Sequence, residues 1–280
     1  MSFVKTTDKR TGEEVKIYYE DCGQGQPVVL IHGWPSSHEM WEPQALELPK
    51  HGIRCISYDR RGFGKSSRTW DGYDYDSLTD DLKAVLDHLD LQDVVLVGFS
   101  MGGGEVVRYF SRYGGARVKK AVLVSAVVPS MLKTDANPGG VPLEMFEKMK
   151  QQITDDRITF LDGFGKDFFG VNLINHPVSQ PYLEYFRMLA AVASPKATLD
   201  CLDSFAYTDF TSEMAAVNVP TLIIHGDADK TVPITTGGER SSQMIPNSQY
   251  LVYEGAPHGL FITEKDRLTQ DLLSFIGGAL

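Results

Sequence analysis

The chain has 280 residues, enough for one large domain or a core domain with an insertion, and its 42% apolar and 23% charged residues are ordinary for a globular protein. A formal net charge of −10 argues against nucleic-acid binding, which needs a basic surface. The longest apolar runs, Val94–Val97 and Ala121–Val128, fall far short of the ~20 residues of a membrane-spanning helix.

Met1-Ser2-Phe3-Val4-Lys5 lacks the apolar core of a signal peptide. Cys22, Cys55 and Cys201 are far apart and odd in number, so a reducing cytoplasm is the expected compartment. In chain order, the first strand is expected over Val15–Glu20. Gly23-Gln24-Gly25 reads as a hairpin turn. Strands follow at Pro27–His32, Ile53–Tyr58, Val94–Phe99, Ala121–Ser125, Thr221–His225 and Gln249–Tyr253. Most are short apolar runs rather than strict alternations, the pattern of strands buried on both faces of a parallel sheet.

Helices are expected between the strands. Ser77–Leu89 carries apolar residues at helical spacing, with Ser77 and Asp80 as an N-terminal capping pattern. Met101–Tyr113 follows the Val94–Phe99 strand. Thr263–Ile276 is amphipathic and stops at Gly277-Gly278. Alternating strands and helices make an α/β sheet with right-handed crossovers. From about Pro129 to Val217 the rhythm breaks into helical periodicity rich in aromatics and methionines, including Phe146, Phe160, Phe164, Phe168, Phe169 and Phe186. That stretch reads as a helical cap (129–217) inserted into a core formed by 1–128 and 218–280. A few cap aromatics are expected to line a pocket at the junction. Pro35, Phe99, Val127, Phe164 and Phe168 are the lining candidates.

The sharpest signal is Gly98-Phe99-Ser100-Met101-Gly102, which leaves an apolar strand and opens a helix. A serine on such a turn projects its hydroxyl as a nucleophile, and small residues at 98 and 102 let neighbouring backbone approach. Gly103 and Gly104 cost helix propensity, so close packing of this helix on the sheet is expected. A serine needs a base. His258, in Gly255-Ala256-Pro257-His258-Gly259 after the last strand, is better placed than the other six histidines. The base needs an orienting carboxylate, and two aspartates follow the Thr221–His225 strand. Asp227 leaves the strand end and suits a turn cap, whereas Asp229 lies further out and is favoured as the acid. The order Ser100, Asp229, His258 is the one expected of this kind of site. For an oxyanion hole the candidates are the backbone N–H groups of Met101 and Trp34, the latter in His32-Gly33-Trp34-Pro35. His32 is expected to be structural.

Gly64-Lys65-Ser66 imitates a phosphate-binding loop but has Asp59 where that motif needs glycine. The sequence shows no His/Cys/carboxylate group with metal-ligand spacing, and neither metal nor cofactor is expected.

These segments, with Asp59-Arg60-Arg61-Gly62-Phe63-Gly64-Lys65-Ser66, His225-Gly226-Asp227-Ala228-Asp229-Lys230-Thr231-Val232-Pro233 and the cap stretch Ser194–Cys201, resemble the α/β-hydrolases of the cofactor-free (non-haem) bacterial haloperoxidase and aryl esterase group over nearly the whole chain. The resemblance implies an α/β-hydrolase fold with an eight-stranded, mostly parallel sheet and a helical cap. It implies a serine carboxylesterase acting on small acyl or aryl esters, with water or hydrogen peroxide as the second reactant; peroxide makes a peracid that oxidises halide away from the protein. It also implies a tendency to form homo-oligomers. Pro35 looks like the perhydrolase-rich members, and by fixing φ it is expected to aim the Trp34 carbonyl toward bound peroxide. Lys230 departs from the pattern, where glutamine is common. Dehalogenases and epoxide hydrolases of this fold use an aspartate nucleophile, so Ser100 argues against both. Lactonases and carbon–carbon hydrolases fit the same residues, and a catalytically silent binding homologue is the remaining alternative.

Overall fold

A computed structural model describes residues 2–278. Among the described residues the strands form one eight-stranded sheet in the order β1-β2-β4-β3-β5-β6-β7-β8. These are β1 (Ser2–Thr7), β2 (Glu14–Cys22), β3 (Gln26–Ile31), β4 (Ile53–Tyr58), β5 (Val94–Phe99), β6 (Val118–Val124), β7 (Thr221–Gly226) and β8 (Ser248–Tyr253). Pairing is antiparallel for β1 with β2 and β2 with β4, and parallel from β4 through β8.

The central parallel strands β3, β5 and β7 carry runs of Val, Ile and Leu. Every residue of β5 and β7 is buried, because helices cover both faces. Alternation divides the core into two layers. Val29 and Ile31 face one side with Leu78, Leu82, Val85 and Val106, from α2 (Tyr75–His88) and α3 (Met101–Tyr113). Val28 and Leu30 face the other with Leu268 and Leu272 of α9 (Lys265–Gly277), the helix that packs against α1 (Glu42–Glu47).

Four expectations are corrected. β1 precedes the strand read as first. It has a single fully buried residue, Val4, so it shows no apolar run. The Gly23–Gly25 turn is no hairpin, since β4 lies between β2 and β3. Helix α2 begins at Tyr75 because the Asp74 carboxylate, rather than Ser77, caps it by accepting the Ser77 N–H. The C-terminal helical stretch breaks into α8 (Leu260–Thr263) and α9 at Glu264.

Between β6 and β7 lie α4 (Leu143–Phe168), α5 (Gln180–Val192) and α6 (Pro195–Tyr207). Helix α4 kinks at Asp156, whose φ and ψ are −155° and 89°. After β7 comes α7 (Gly238–Met244). No helix among the described residues is long and apolar enough to cross a membrane.

Candidate active site

Ser100 sits between β5 and α3 with φ 52° and ψ −118°, a conformation that costs a non-glycine residue energy and needs its surroundings to hold it. Two backbone bonds to the neighbouring strand and its exit supply that hold: Ser100 N donates to Val124 O (2.9 Å) and Val127 N to Ser100 O (3.2 Å). The flanking glycines are needed for space. A Cβ on Gly98 would lie 2.5 Å from the Gly102 oxygen, and one on Gly102 would lie 2.7 Å from the Ile31 oxygen. Gly103 and Gly104 likewise meet Ala126 and the Tyr75 ring, which is the close packing that offsets their poor helix propensity.

His258 and Asp229 reach Ser100 from the loops after β8 and β7. His258 Nε2 lies 3.0 Å from Ser100 Oγ, and His258 Nδ1 lies 2.6 Å from Asp229 Oδ2. All three are almost completely buried. The other carboxylate oxygen, Oδ1, accepts the Thr231 and Val232 N–H groups (2.9 and 2.8 Å). Burial pushes the Asp229 carboxyl pKa up, but the facing His258 and His225 rings outweigh it, and the net shift is down. Asp227 instead accepts the Gly255 N–H (2.6 Å) and braces the turn that leads to His258.

Trp34 and Pro35 are the central residues of a turn closed by Ser36 N to Gly33 O (3.2 Å), with a cis bond between them. The first central N–H of such a turn is not used in closing it. Neither the Trp34 nor the Met101 backbone N–H has a hydrogen-bond acceptor among the described residues. The Trp34 indole donates to Thr198 O on α6 (2.9 Å) and packs against Phe164 and Phe205. His32 is structural: its Nε2 accepts the Arg60 N–H (2.9 Å), and burial with the adjacent guanidinium pushes its pKa well down.

A cavity of about 620 Å³ opens over Ser100 and Trp34. Val127 and Phe164, two of the residues singled out from the sequence, line it together with Met131, Met149, Phe160 and Phe205, and Lys230 stands beside it. Pro35, Phe99 and Phe168 do not line it. Phe99 follows Val95 and Val97 on the opposite face of β5, and Phe168 packs in that same layer. Their rings instead flank the His258 imidazole, with centroids 4.9 and 4.7 Å away. Pro35 is buried in its turn. Composition carried no signal that would single out the methionines, since side chains on one helix face look alike until the cap is docked.

The fold does gather His38, Glu39 and Asp59, residues with metal-binding chemistry of which the first two are adjacent in the chain and the third is distant. His38 Nδ1 is 2.7 Å from Asp59 Oδ1, and Asp59, Glu39 and Glu20 raise the imidazole pKa against its burial. The backbone N–H groups of His38 and Lys65 take further Asp59 lone pairs (2.9 and 2.8 Å), so the group fits an internal ion pair better than a metal.

The model of the α/β-hydrolase fold family matches residues 26–265. A non-heme chloroperoxidase of Kitasatospora aureofaciens is 43% identical over 268 residues, covering 95% of this chain and 98% of that protein. A bifunctional esterase/perhydrolase of Acinetobacter calcoaceticus is 40% identical, covering 99% of each chain. The crystal structure of a bromoperoxidase from Bacillus anthracis superposes with a TM-score of 0.94 at 46% identity, covering 99% of this chain and 100% of that one. The chain belongs to the α/β-hydrolase fold family, in its group of non-heme haloperoxidases and perhydrolases.

Proposed function

We propose that this protein is a serine ester hydrolase that also transfers its acyl group to hydrogen peroxide. The observation that carries the reading is the continuous line from Ser100 Oγ through both nitrogens of His258 to Asp229, set beside an apolar cavity. The relatives named as haloperoxidases and as an esterase/perhydrolase support it.

In this reading Ser100 Oγ attacks the ester carbonyl while His258 Nε2 takes its proton. The Trp34 and Met101 N–H groups bind the developing oxyanion, each worth ~3 kcal/mol of transition-state stabilisation. His258 then protonates the leaving alcohol. Water or hydrogen peroxide attacks the acyl-enzyme, giving a proton to His258, which returns it to Ser100 Oγ as the Ser–acyl bond breaks and the acid or the peracid departs. Asp229 stays ionised and keeps the proton of neutral His258 on Nδ1. Residues 129–217 serve as the cap that closes the cavity over the core (1–128 and 218–280). Pro35 biases the second step toward peroxide, and an unchanged perhydrolysis-to-hydrolysis ratio in Pro35→Leu would remove that part of the proposal. The unpaired thiols of Cys22, Cys55 and Cys201 are in keeping with a cytoplasmic setting.

The test is release of nitrophenol from p-nitrophenyl acetate by wild type and Ser100→Ala, with and without peroxide and bromide. Wild type is expected to hydrolyse the ester and to brominate a dye only when peroxide and a carboxylate are both supplied. Ser100→Ala is expected to do neither. Hydrolysis that survives Ser100→Ala refutes the reading. An inactive wild type would favour a lactone or carbon–carbon substrate in the same site.

A further inference from the structure

Asp229 has a second imidazole beside it. His225, in β7, is completely buried. Its Nδ1 accepts the Gly238 N–H (3.1 Å), so its proton is on Nε2. That Nε2 lies 2.9 Å from the Val232 carbonyl oxygen and 3.3 Å from Asp229 Oδ2, the same oxygen that faces His258. The ring has no room to swing away. A Cβ on Gly237 would lie 2.7 Å from the ring's Cε1 and one on Gly238 2.9 Å from its Nδ1, so the start of α7 closes against its other side. His225 and His258 are the titratable side chains that contact Asp229, and Lys230 follows it in the chain.

We infer that His225 is a positioning residue for the acyl-transfer reaction: its Nε2–H, shared between Val232 O and Asp229 Oδ2, keeps the carboxylate aligned on His258. The inference rests on the Ser100–His258–Asp229 reading. Its rival is a histidine that merely anchors α7 through Gly238.

The two bonds separate by substitution. His225→Asn keeps an acceptor near the Nδ1 position for Gly238 but loses the donor toward Asp229. His225→Gln keeps a donor near the Nε2 position but loses the Gly238 bond. The experiment is the pH profile of kcat/KM for p-nitrophenyl acetate, with kcat and KM resolved, for wild type, Ser100→Ala and both variants, normalised to folded protein by thermal melts. His225→Asn is expected to lose kcat by on the order of tenfold to a hundredfold with little change in KM, as expected for a small misplacement of a catalytic group. Its acid limb should move to lower pH, because a displaced carboxylate supports the charged imidazole less well. His225→Gln should recover most of the rate and the wild-type limb.

Equal kcat in both variants and wild type, equal losses in both, or an acid limb that moves upward in His225→Asn would overturn the inference. Should His225→Asn fail to fold, His225→Gln decides: a wild-type limb and rate support the inference, and a lost kcat overturns it. An inactive wild type or an active Ser100→Ala would instead bring down the triad reading beneath it.

Discussion

Replacing Asp229 by asparagine separates orientation from bulk. The two backbone N–H groups on Oδ1, at 2.9 and 2.8 Å, require an oxygen in that position. An asparagine must therefore keep its carbonyl there and turn its NH2 group toward His258 Nδ1. An NH2 group cannot accept a proton, so Nδ1 becomes the acceptor and the ring proton moves to Nε2. His258 then cannot take the Ser100 proton, although every heavy atom stays in place. A triad held in the wrong tautomer loses about 10⁴ in kcat, which corresponds to about 5.4 kcal/mol of barrier. The assay is steady-state hydrolysis of p-nitrophenyl acetate by Asp229→Asn, with Asp227→Asn as the control. Asp227 only accepts the Gly255 N–H, a bond that asparagine can keep, so the control should stay within about threefold of wild type. A loss below about tenfold in Asp229→Asn, or an equal loss in Asp227→Asn, would refute the assignment of the acid.

Three other outcomes follow from the same contacts. Met149→Trp narrows the cavity, so hydrolysis of p-nitrophenyl octanoate should fall by on the order of tenfold relative to the acetate, and an unchanged ratio of the two rates counts against Met149 as a selectivity residue. In Gly104→Ala the new Cβ would lie 2.5 Å from the Tyr75 ring, which packs on Phe210; overpacking of about 1–3 kcal/mol should outweigh a helix-propensity gain of about 1 kcal/mol, and a variant stabilised in urea unfolding contradicts that. Burial pushes the His38 pKa down, but Asp59, Glu39 and Glu20 raise it on balance, so its contribution is full below the unfolded value of about 6.5 and is lost as pH rises through the folded value. His38→Gln should therefore cost more stability at acidic than at alkaline pH, and a pH-independent difference between the melting curves would disprove the ion pair.

What could be read from the sequence was whatever is local in the chain. Strands β3, β5, β6 and β7 carry short apolar runs such as Val28–Ile31, Val94–Val97, Ala121–Val124 and Leu222–Ile224. Ser100 stands in a glycine frame that only close backbone packing explains, and Asp229 and His258 each follow a strand end. What escaped depends on distant partners. The Gly23–Gly25 turn has the residues of a hairpin, but whether its strands pair is decided by β4, some thirty residues later. Phe164 and Phe168 are one helical turn apart and chemically identical, yet the first lines the cavity and the second supports His258. The kink at Asp156 divides α4, so one helical periodicity cannot tell which face meets the site along its whole length. The His225–Asp229 contact was hidden for the opposite reason, because a histidine ending a strand looks like many others.

Where each group is held decides what each part of the molecule controls. Ser100 is tied to β6 and its exit, and the loop carrying Asp229 is tied to the loop carrying His258 through Asp227 to Gly255 and Ala228 N to Ala256 O (3.2 Å). Parallel register from β5 to β8 therefore sets the distances between Ser100, His258 and Asp229, with no residue of 129–217 among them. Two contacts from residues 129–217 bear on this frame. The Trp34 indole bonds to Thr198 on α6, which couples the cavity wall to the turn that offers the Trp34 N–H. Gly259 N donates to Phe168 O (2.8 Å), and the Phe168 ring lies against His258, so the last turn of α4 supports that imidazole directly. Substitutions at Met149 or Phe160, in the cavity-lining stretch of α4, should change which esters are accepted and leave the acetate rate nearly intact. Substitutions at Phe168 should lower the rate on every ester alike, because the support they remove is behind the imidazole rather than around the acyl group.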